Sequence, residues 1–286
     1  MADTTVVRDG LRFGEGPRHG PDGRLWYSDF YDHEVRALDL GTGEEEVVCE
    51  VPGQPSGLGW LPDGRLLVVS MLDRKVLRRE PDGALVEHAD LGGVATFHAN
   101  DMLVDARGRA YVGNFGFDLH GAIAAGGEAA LLEPGWVAPG TPLALVEPDG
   151  TVRVAAEDLK FPNGTGLLPD GRLVVAETLA FRLTAFDVAE DGALSGRRVF
   201  ASVREHFIAP DGIAVDAEGG VWVAPALQPF AFLVREGGEV ARKVETGANC
   251  FAVAIVGDRL VCCTAPTSQP EVVAGARLGK LEVVGL

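Results

Sequence analysis

Six polar residues recur at one position of a repeated pattern, each of them eight residues before a glycine. All six side chains carry an oxygen atom, although 47% of the chain is hydrophobic. Oxygen donors, carboxylates above all, are the ligands that hard divalent cations prefer. The pattern therefore predicts that distant parts of the chain supply one polar site. The six residues are Glu15, Ser56, Asn100, Asn163, Asp211 and Asn249, and the glycines are Gly23, Gly64, Gly108, Gly171, Gly219 and Gly257.

Three residues of this set form the predicted metal site. Glu15, Asn163 and Asp211 provide two carboxylates and one carboxamide, and Asn100 holds the same position in another repeat. We predict one bound divalent cation, with Ca²⁺ as the first expectation and Mg²⁺ or Mn²⁺ as alternatives. Zn²⁺ is a further alternative, although it prefers the His and Cys ligands that the set lacks. An interpretation without metal stays open, because Asn-Gly and Asp-Gly are also frequent turn dipeptides.

The elements that must position these residues are short strands arranged in repeats. The glycine turns are spaced 41, 44, 63, 48 and 38 residues apart, and most belong to a Pro-Asp-Gly-Arg-Leu sequence or a variant of it. A short apolar run such as residues 66–70 (LLVVS) follows each turn, and a second glycine turn comes later in each repeat. Each repeat thus reads as four antiparallel strands. Four-stranded repeats of roughly 40–50 residues are typical of β-propeller blades. We predict an all-β, six-bladed β-propeller in which residues 1–286 form a single domain.

The two ends of the chain are expected to close this propeller. Residues 4–9 precede the first inner strand, and the last repeat ends near residues 281–284. We predict that the N-terminal strand becomes the outer strand of the sixth blade, which removes an exposed sheet edge. Because all inner strands of a propeller start at the same end of the central channel, residues at equal repeat positions should meet at one channel mouth.

An insertion at about residues 116–140 accounts for the 63-residue spacing. This stretch is rich in Gly, Ala and Pro, and a helical turn is predicted at Glu128–Leu132. Long inserts in compact folds are usually binding loops, so we predict a lid over the site, with a disordered excursion as the alternative. Nearby aromatic residues predict a wall of low polarity: Phe115, Phe117, Trp136 and Phe230.

Charge and cysteine content narrow the class of partner. The net charge of −17 argues against nucleic acid and anionic membranes, which need basic surfaces, and is compatible with cation binding. The sequence has no run of eighteen apolar residues, and its start lacks the order of a signal peptide, so we expect a cytoplasmic protein without a membrane anchor. The four cysteines are expected to be mostly buried free thiols.

In its motifs the chain resembles the senescence-marker-protein-30/gluconolactonase (regucalcin-type) family. The resemblance rests on Gly14-Glu15-Gly16-Pro17, Asn100-Asp101, Pro162-Asn163-Gly164 and Pro210-Asp211-Gly212. It implies a six-bladed propeller with one catalytic divalent cation on Glu15, Asn163 and Asp211. It further implies that Asn100 contacts the substrate or a water at the metal. Family members hydrolyse sugar lactones, and a related branch hydrolyses organophosphates.

The predicted activity is therefore metal-assisted hydrolysis of a lactone, with a small-molecule substrate and with Asp211 as the general base. The chain departs from the family pattern at His98, where lactonase members often have Arg; His98 is either a proton shuttle or a packed rim residue. Asp118 is the counterpart of an acidic substrate contact. Together with the aromatic residues, this predicts a lactone or ester less polar than gluconolactone. A phosphotriesterase activity and a non-catalytic, metal-braced binding propeller are the alternatives.

Overall fold

The chain folds into six four-stranded antiparallel sheets that form the blades of a β-propeller, as the repeats predict. The structure is a computed structural model and describes residues 3–127, 130–131 and 135–286. The first strand, β1, spans Thr5–Leu11. Blade 1 contains β2 (Gly14–His19), β3 (Leu25–Asp29), β4 (Glu34–Leu38) and β5 (Glu45–Glu50). Blade 2 contains β6 (Pro55–Trp60), β7 (Leu66–Ser70), β8 (Lys75–Arg79) and β9 (Leu85–Asp90).

The other four blades repeat this order. Blade 3 contains β10 (Ala99–Val104), β11 (Ala110–Asn114), β12 (Thr141–Val146) and β13 (Val152–Leu159). Blade 4 contains β14 (Pro162–Leu167), β15 (Leu173–Glu177), β16 (Arg182–Val188) and β17 (Leu194–Ser202). Blade 5 contains β18 (Ile213–Val215), β19 (Val221–Val223), β20 (Phe230–Val234) and β21 (Val240–Glu245). Blade 6 contains β22 (Asn249–Val256), β23 (Arg259–Ala265) and β24 (Gly279–Gly285).

The ring closes between the two ends of the chain. Strand β1 pairs antiparallel with β24, with Thr5 opposite Val283 and Leu11 opposite Gly279. The innermost strands β2, β6, β10, β14, β18 and β22 contact one another in a closed circle, with β22 returning to β2. The prediction that the N-terminal strand completes the sixth blade is therefore confirmed.

The Pro-Asp-Gly-Arg turns hold the first two strands of a blade in register. In blade 4 the turn lies between the paired residues Leu167 and Leu173, and Gly171 has a φ of 87°, a conformation that glycine adopts without strain. Asp170 accepts a hydrogen bond from the Arg172 backbone N–H at 3.0 Å and pairs with its guanidinium at 2.7 Å. Equal turns give equal registers, so the inner strands of these blades start at the same height.

The apolar core lies between the blades, with one buried cluster for each pair of neighbouring blades. Phe200 and Phe232, for example, belong to the cluster between blades 4 and 5. Burial of each such side chain contributes about 1.5–3 kcal/mol. A seventh cluster is mainly aromatic and surrounds one mouth of the channel. The four cysteines are free thiols, three of them buried and Cys49 partly exposed.

The insertion contributes one helix to the described residues. Helix α1 (Leu119–Gly126) begins after Asp118, whose side chain accepts a hydrogen bond from the Gly121 backbone N–H. The helical turn predicted at Glu128–Leu132 lies outside the described residues, apart from residues 130–131. A short helix, α2 (Pro270–Val273), precedes β24. Among the described helices, none has the length and apolar character needed to span a bilayer.

Candidate functional site

Four of the predicted site residues meet at one mouth of the channel. Glu15, Asn100 and Asn163 are each the second residue of an inner strand, β2, β10 and β14 respectively. Asp211 lies two residues before β18, and its carbonyl accepts a hydrogen bond from the Gly164 backbone N–H at 3.1 Å. All four line a single cavity of about 130 Å³. Residues that are far apart in the sequence therefore form the polar floor of one cavity.

The glycines that follow Glu15, Asn163 and Asp211 allow the inner strands to approach one another closely. A Cβ atom at Gly164 would lie 2.5 Å from the Asp211 carbonyl oxygen, and one at Gly16 would lie 2.6 Å from the Ser56 carbonyl oxygen. Asn163-Gly164 lies within β14. The turn interpretation of this dipeptide is therefore wrong, because close strand packing, and not a turn, requires the glycine.

Asn163 and Asp211 are in direct contact. The Asn163 Nδ2 group donates hydrogen bonds to Asp211 Oδ1 and, at 3.3 Å, to Thr178 Oγ1. Thr178 in turn donates to the Pro210 carbonyl at 2.7 Å. Thr178 thus ties the side chain of Asn163 to the segment that carries Asp211. Thr178 lies outside the sequence motifs that predict the site.

The carboxylates of the floor interact unfavourably while no cation is present. Burial, together with the negative charge of Asp101, raises the pKa of Glu15 to about 8. Burial also raises the pKa of Asp211 well above its usual range, with further contributions from the charges of Glu15 and Asp101. Asp101 is buried and forms an ion pair with Arg18 at 2.9 Å, which balances only one of the three charges. A cation would relieve this repulsion.

The donor chemistry of the floor fits a hard cation that also accepts amide oxygens. Glu15 and Asp211 supply carboxylate oxygens, and Asn163 supplies a carboxamide oxygen. Within the described ranges, no three His, Cys, Asp or Glu side chains form a cluster that could hold a metal. A cation at this floor would therefore need the amide ligand, which is compatible with Ca²⁺ and less so with Zn²⁺.

Above the floor, the cavity wall is apolar. Phe115 and Phe161 are 4.6 Å apart between ring centroids, and Phe13 contacts Phe251 at 4.8 Å and Phe30 at 4.9 Å. Helix α1 adds further apolar side chains, and polar wall groups above the floor are few. The apolar lining residues are Phe13, Phe30, Met71, Phe115, Leu119, Ile123, Leu131, Phe161, Leu179, Phe181, Ala209, Ala226, Leu227 and Phe251.

Comparisons with known proteins agree with this architecture. The profile of the SMP-30/Gluconolactonase/LRE-like region matches residues 13–265. The chain belongs to the SMP-30/gluconolactonase/LRE-like family. Over 227 residues it is 31% identical to Pentonolactonase XacC of Haloferax volcanii. The matched stretch covers 78% of this chain and 70% of the pentonolactonase.

Solved structures show the same fold at lower identity. A gluconolactonase from Xanthomonas campestris has a TM-score of 0.76 at 21% identity. The match covers 100% of this chain and 90% of the gluconolactonase chain. A calcium-binding protein, regucalcin, from Agrobacterium tumefaciens also has a TM-score of 0.76, at 22% identity. That match covers 100% of this chain and 96% of the regucalcin chain. These likenesses show that the chain has the same fold as the two solved proteins.

Two predicted substrate contacts lie away from the cavity surface of this SMP-30 family member. His98 stacks on Phe97 with centroids 4.1 Å apart and packs edge-on against Phe115 at 5.9 Å, so Phe115 and not His98 lines the cavity. The Asp118 carboxylate accepts a hydrogen bond from Gly121 N at 2.8 Å and caps helix α1. The placement of His98 matches the packed-rim alternative. The insertion contributes to the wall through α1, and neither Phe117, Trp136 nor Phe230 lines the cavity.

In blade 6, Phe251 and not Asn249 holds the repeat position that the other five polar residues share. Asn249 Nδ2 donates to the Pro266 carbonyl at 3.2 Å, outside the cavity, so the prediction that Asn249 belongs to the polar set is wrong. The Gly212 N–H bonds to the Phe251 carbonyl, as Gly164 N–H bonds to Asp211, which makes Phe251 the equivalent residue. The reason is the turn of blade 6, where Val256 pairs with Arg259 and only two residues intervene.

Ser56, the member of the polar set from blade 2, is buried and supports Asn100. Its hydroxyl lies 3.4 Å from Asn100 Oδ1, to which it donates a hydrogen bond. Ser56 does not line the cavity itself. His120 does line the cavity, and its ring packs against Phe115 with centroids 6.0 Å apart. Burial lowers the pKa of His120.

Proposed function

We propose that this protein is a divalent-cation-dependent hydrolase that opens a lactone ring by attack of water. The observation that carries the proposal is the convergence of Glu15, Asn163, Asp211 and Asn100 on the floor of one cavity. The relationship to a protein named pentonolactonase, within a family named after gluconolactonase, supports the choice of a cyclic ester as the substrate. The regucalcin likeness, described as calcium-binding, supports Ca²⁺ as the cation.

The ligands of the cation are Glu15, Asn163 and Asp211. Because Asn163 Nδ2 is held by Thr178 and Asp211, the Oδ1 atom is the one left to coordinate. When bound, the cation supplies a Lewis acid that polarises the ester carbonyl and stabilises the negative charge formed on attack.

Asp211 and Asn100 act on the reactants. Asp211 accepts the proton of the attacking water at a carboxylate oxygen and returns it to the alkoxide that leaves when the ring opens. The Asn100 side chain accepts a hydrogen bond from Ser56 at Oδ1, so its Nδ2 group is the donor that it offers to the substrate. The apolar wall excludes bulk water, which strengthens these interactions.

The test is an assay of purified protein on a panel of substrates after treatment with a chelator. The panel contains hexono- and pentonolactones, alkyl and aryl lactones, a phenyl ester and a phosphotriester, each with Ca²⁺, Mg²⁺, Mn²⁺ or Zn²⁺ restored. We expect lactone hydrolysis to be lost with the chelator and recovered with Ca²⁺. Full activity in the chelator, or hydrolysis of the phosphotriester alone, would overturn the proposal.

A pair of variants separates catalysis from folding. Asp211→Asn removes the general base and one ligand charge, and we expect kcat to fall by roughly 10²–10⁴ with an unchanged circular dichroism spectrum. The matched control is Asn249→Ala, in the same region of the neighbouring blade but outside the cavity, which should keep full activity. An active Asp211→Asn enzyme would instead indicate a binding propeller braced by an ion.

A further inference from the structure

The wall of the cavity identifies the kind of lactone that it accepts. We propose that the substrate is a compact lactone with an alkyl or aromatic substituent, and that polyhydroxylated sugar lactones are poor substrates. This inference rests on the proposed function, because it takes the polar floor to be the reaction centre. It concerns the part of the substrate that extends away from that floor.

The cavity supplies few hydrogen bonds to a polar substrate. A sugar lactone carries several hydroxyl groups, and each of them needs a partner when it leaves water. Glu15, Asn163 and Asp211 are assigned to the cation. The Asn100 Nδ2 group is assigned to the reacting ester, and Thr178 already donates to the Pro210 carbonyl. No Lys or Arg is present among the described residues that line the cavity. A sugar lactone would therefore bury most of its hydroxyls without partners, and each would reduce binding roughly tenfold or more.

The polar groups higher in the wall do not change this balance. They are His120 and Ser268 alone, among the described lining residues. His120 lies on α1 with its ring edge-on to Phe115, and burial lowers its pKa, so the imidazole is neutral near pH 7. A neutral imidazole against a phenyl ring is compatible with an aromatic or alkyl group beside it. Two such residues are too few to bind a sugar.

The aromatic wall is part of the core and is already in place. Phe13, Phe30, Phe115, Phe161 and Phe251 belong to one cluster and are each at most 7% exposed. Their positions are fixed by the backbone, since Phe30 N–H donates to the Phe13 carbonyl at 3.1 Å and Phe115 N–H to the His98 carbonyl at 3.0 Å. A wall that does not rearrange cannot turn polar groups toward a sugar. It offers flat apolar faces on which another ring packs with little entropic cost.

The size of the cavity limits the substrate to a compact molecule. The cavity volume of about 130 Å³ is close to that of a cavity of about 150 Å³ that holds one benzene molecule. One lactone ring on the floor takes up most of this space, so a fused aromatic ring or a short alkyl chain would lie against the phenylalanines at the mouth of the cavity. A long acyl chain would have to leave the cavity.

The experiment compares three δ-lactones with the same reacting ring in the presence of saturating Ca²⁺. They are dihydrocoumarin, δ-valerolactone and D-glucono-δ-lactone, and each rate is divided by that of hydroxide-catalysed hydrolysis to remove intrinsic reactivity. We expect kcat/KM for dihydrocoumarin to exceed that for D-glucono-δ-lactone by at least about 100-fold, since several hydroxyls stay unpaired. Equal or better hydrolysis of D-glucono-δ-lactone would overturn the inference and leave the proposed lactonase activity intact.

A wall variant with a matched control tests the cause. Leu119→Asn places a polar group of similar size on α1 inside the cavity, at a position that is only partly buried. We expect kcat/KM for dihydrocoumarin to fall about tenfold, in line with loss of apolar contact, and the ratio between the two substrates to narrow. Leu72→Asn, the same change at an exposed leucine outside the cavity, should have no effect. Equal effects of the two variants would contradict the inference.

A binding measurement separates failure of the inference from failure of the proposed function. Chroman has the two rings of dihydrocoumarin without the carbonyl and cannot be hydrolysed. We expect it to raise the melting temperature of the wild-type protein and of Leu72→Asn, and to have a smaller effect on Leu119→Asn. Chroman binding without hydrolysis of any lactone would refute the proposed function, and with it the substrate class. Absence of chroman binding in a protein that hydrolyses lactones would refute the inference alone.

Discussion

Removal of the cation should make the stability of this protein fall as the pH rises. Without a cation, burial and the charge of Asp101 raise the pKa of Glu15 from 4.5 to about 8. Between these two values the folded protein holds a proton on Glu15 that the unfolded chain has lost, so raising the pH favours unfolding. The full difference corresponds to about 5 kcal/mol, reached above pH 8. The raised pKa of Asp211 acts in the same direction.

The assay is urea denaturation between pH 5 and 9, in a chelator and in saturating Ca²⁺. In the chelator we expect the free energy of unfolding to decrease by several kcal/mol across this range. In Ca²⁺ the decrease should be much smaller, because the cation offsets the repulsion and binds the ionised ligands. Asp211→Asn should flatten the profile in the chelator, since it removes one of the interacting charges. Asp9→Asn, at an exposed position of β1, is the control and should leave the profile unchanged.

Two results would refute this reasoning. Identical pH profiles in the chelator and in Ca²⁺ would mean that the floor carboxylates do not bind the cation. Stability that increases with pH in the chelator would mean that Glu15 and Asp211 are ionised in the folded protein and stabilised by other groups. Neither result depends on enzyme activity, so the prediction stands apart from the choice of substrate.

Two further variants test the parts that support the cavity. Glu177→Gln should lower the free energy of unfolding by about 2–3 kcal/mol, because the buried carboxylate binds Arg182 at 2.8 Å and accepts from Lys160 N–H at 2.9 Å; an unchanged urea midpoint would contradict this. Asp118→Ala removes the cap of α1 and should cost about 1 kcal/mol of helix stability. It should raise KM for dihydrocoumarin with little effect on global unfolding, and Asp118→Ser, which can still cap, should restore KM; failure of this rescue would assign another role to Asp118.

The sequence predicts the fold and most of the floor because the turns are repeated. In the blades that carry Glu15, Asn100 and Asn163, the first hairpin has the same length, so counting back from the turn glycine reaches the same structural position. Asp211 follows the same rule in a blade whose inner strand is shorter. Register set by local turn chemistry is information that a single sequence contains.

The error at Asn249 shows where this rule stops. Blade 6 closes its hairpin with Gly257 and Asp258 alone, and Gly257 has a φ of 61°. The glycine is present as in the other blades, but the turn is shorter, so the count of eight residues begins in the wrong place. Pairing between strands, which decides the register here, is a long-range property that the glycine pattern does not contain.

The sequence does not predict that Asp101 acts at the cavity floor, and the reason differs from that for Asn249. In a regular strand, successive side chains point to opposite faces, so the neighbour of Asn100 should turn away from the cavity floor. Strand β10 has a register shift between Ala99 and Met102, which breaks this alternation. As a result the charge of Asp101 acts on both Glu15 and Asp211. A bulge cannot be predicted from alternation, because it is the exception to it.

Apart from Phe251, which holds the floor position in blade 6, the floor and wall residues come from different positions of the repeat. This separates the residues that act on the reacting group from those that contact the rest of the substrate. Floor residues such as Asn163 are followed by glycines that neighbouring backbones contact at close range, so their place is fixed by strand packing. Wall residues such as Phe13 and Phe161 lie two positions earlier and line the cavity. Substitution in the wall therefore changes which substrate fits without moving the ligands below it. The reacting group can stay constant within this architecture while the remainder of the substrate changes.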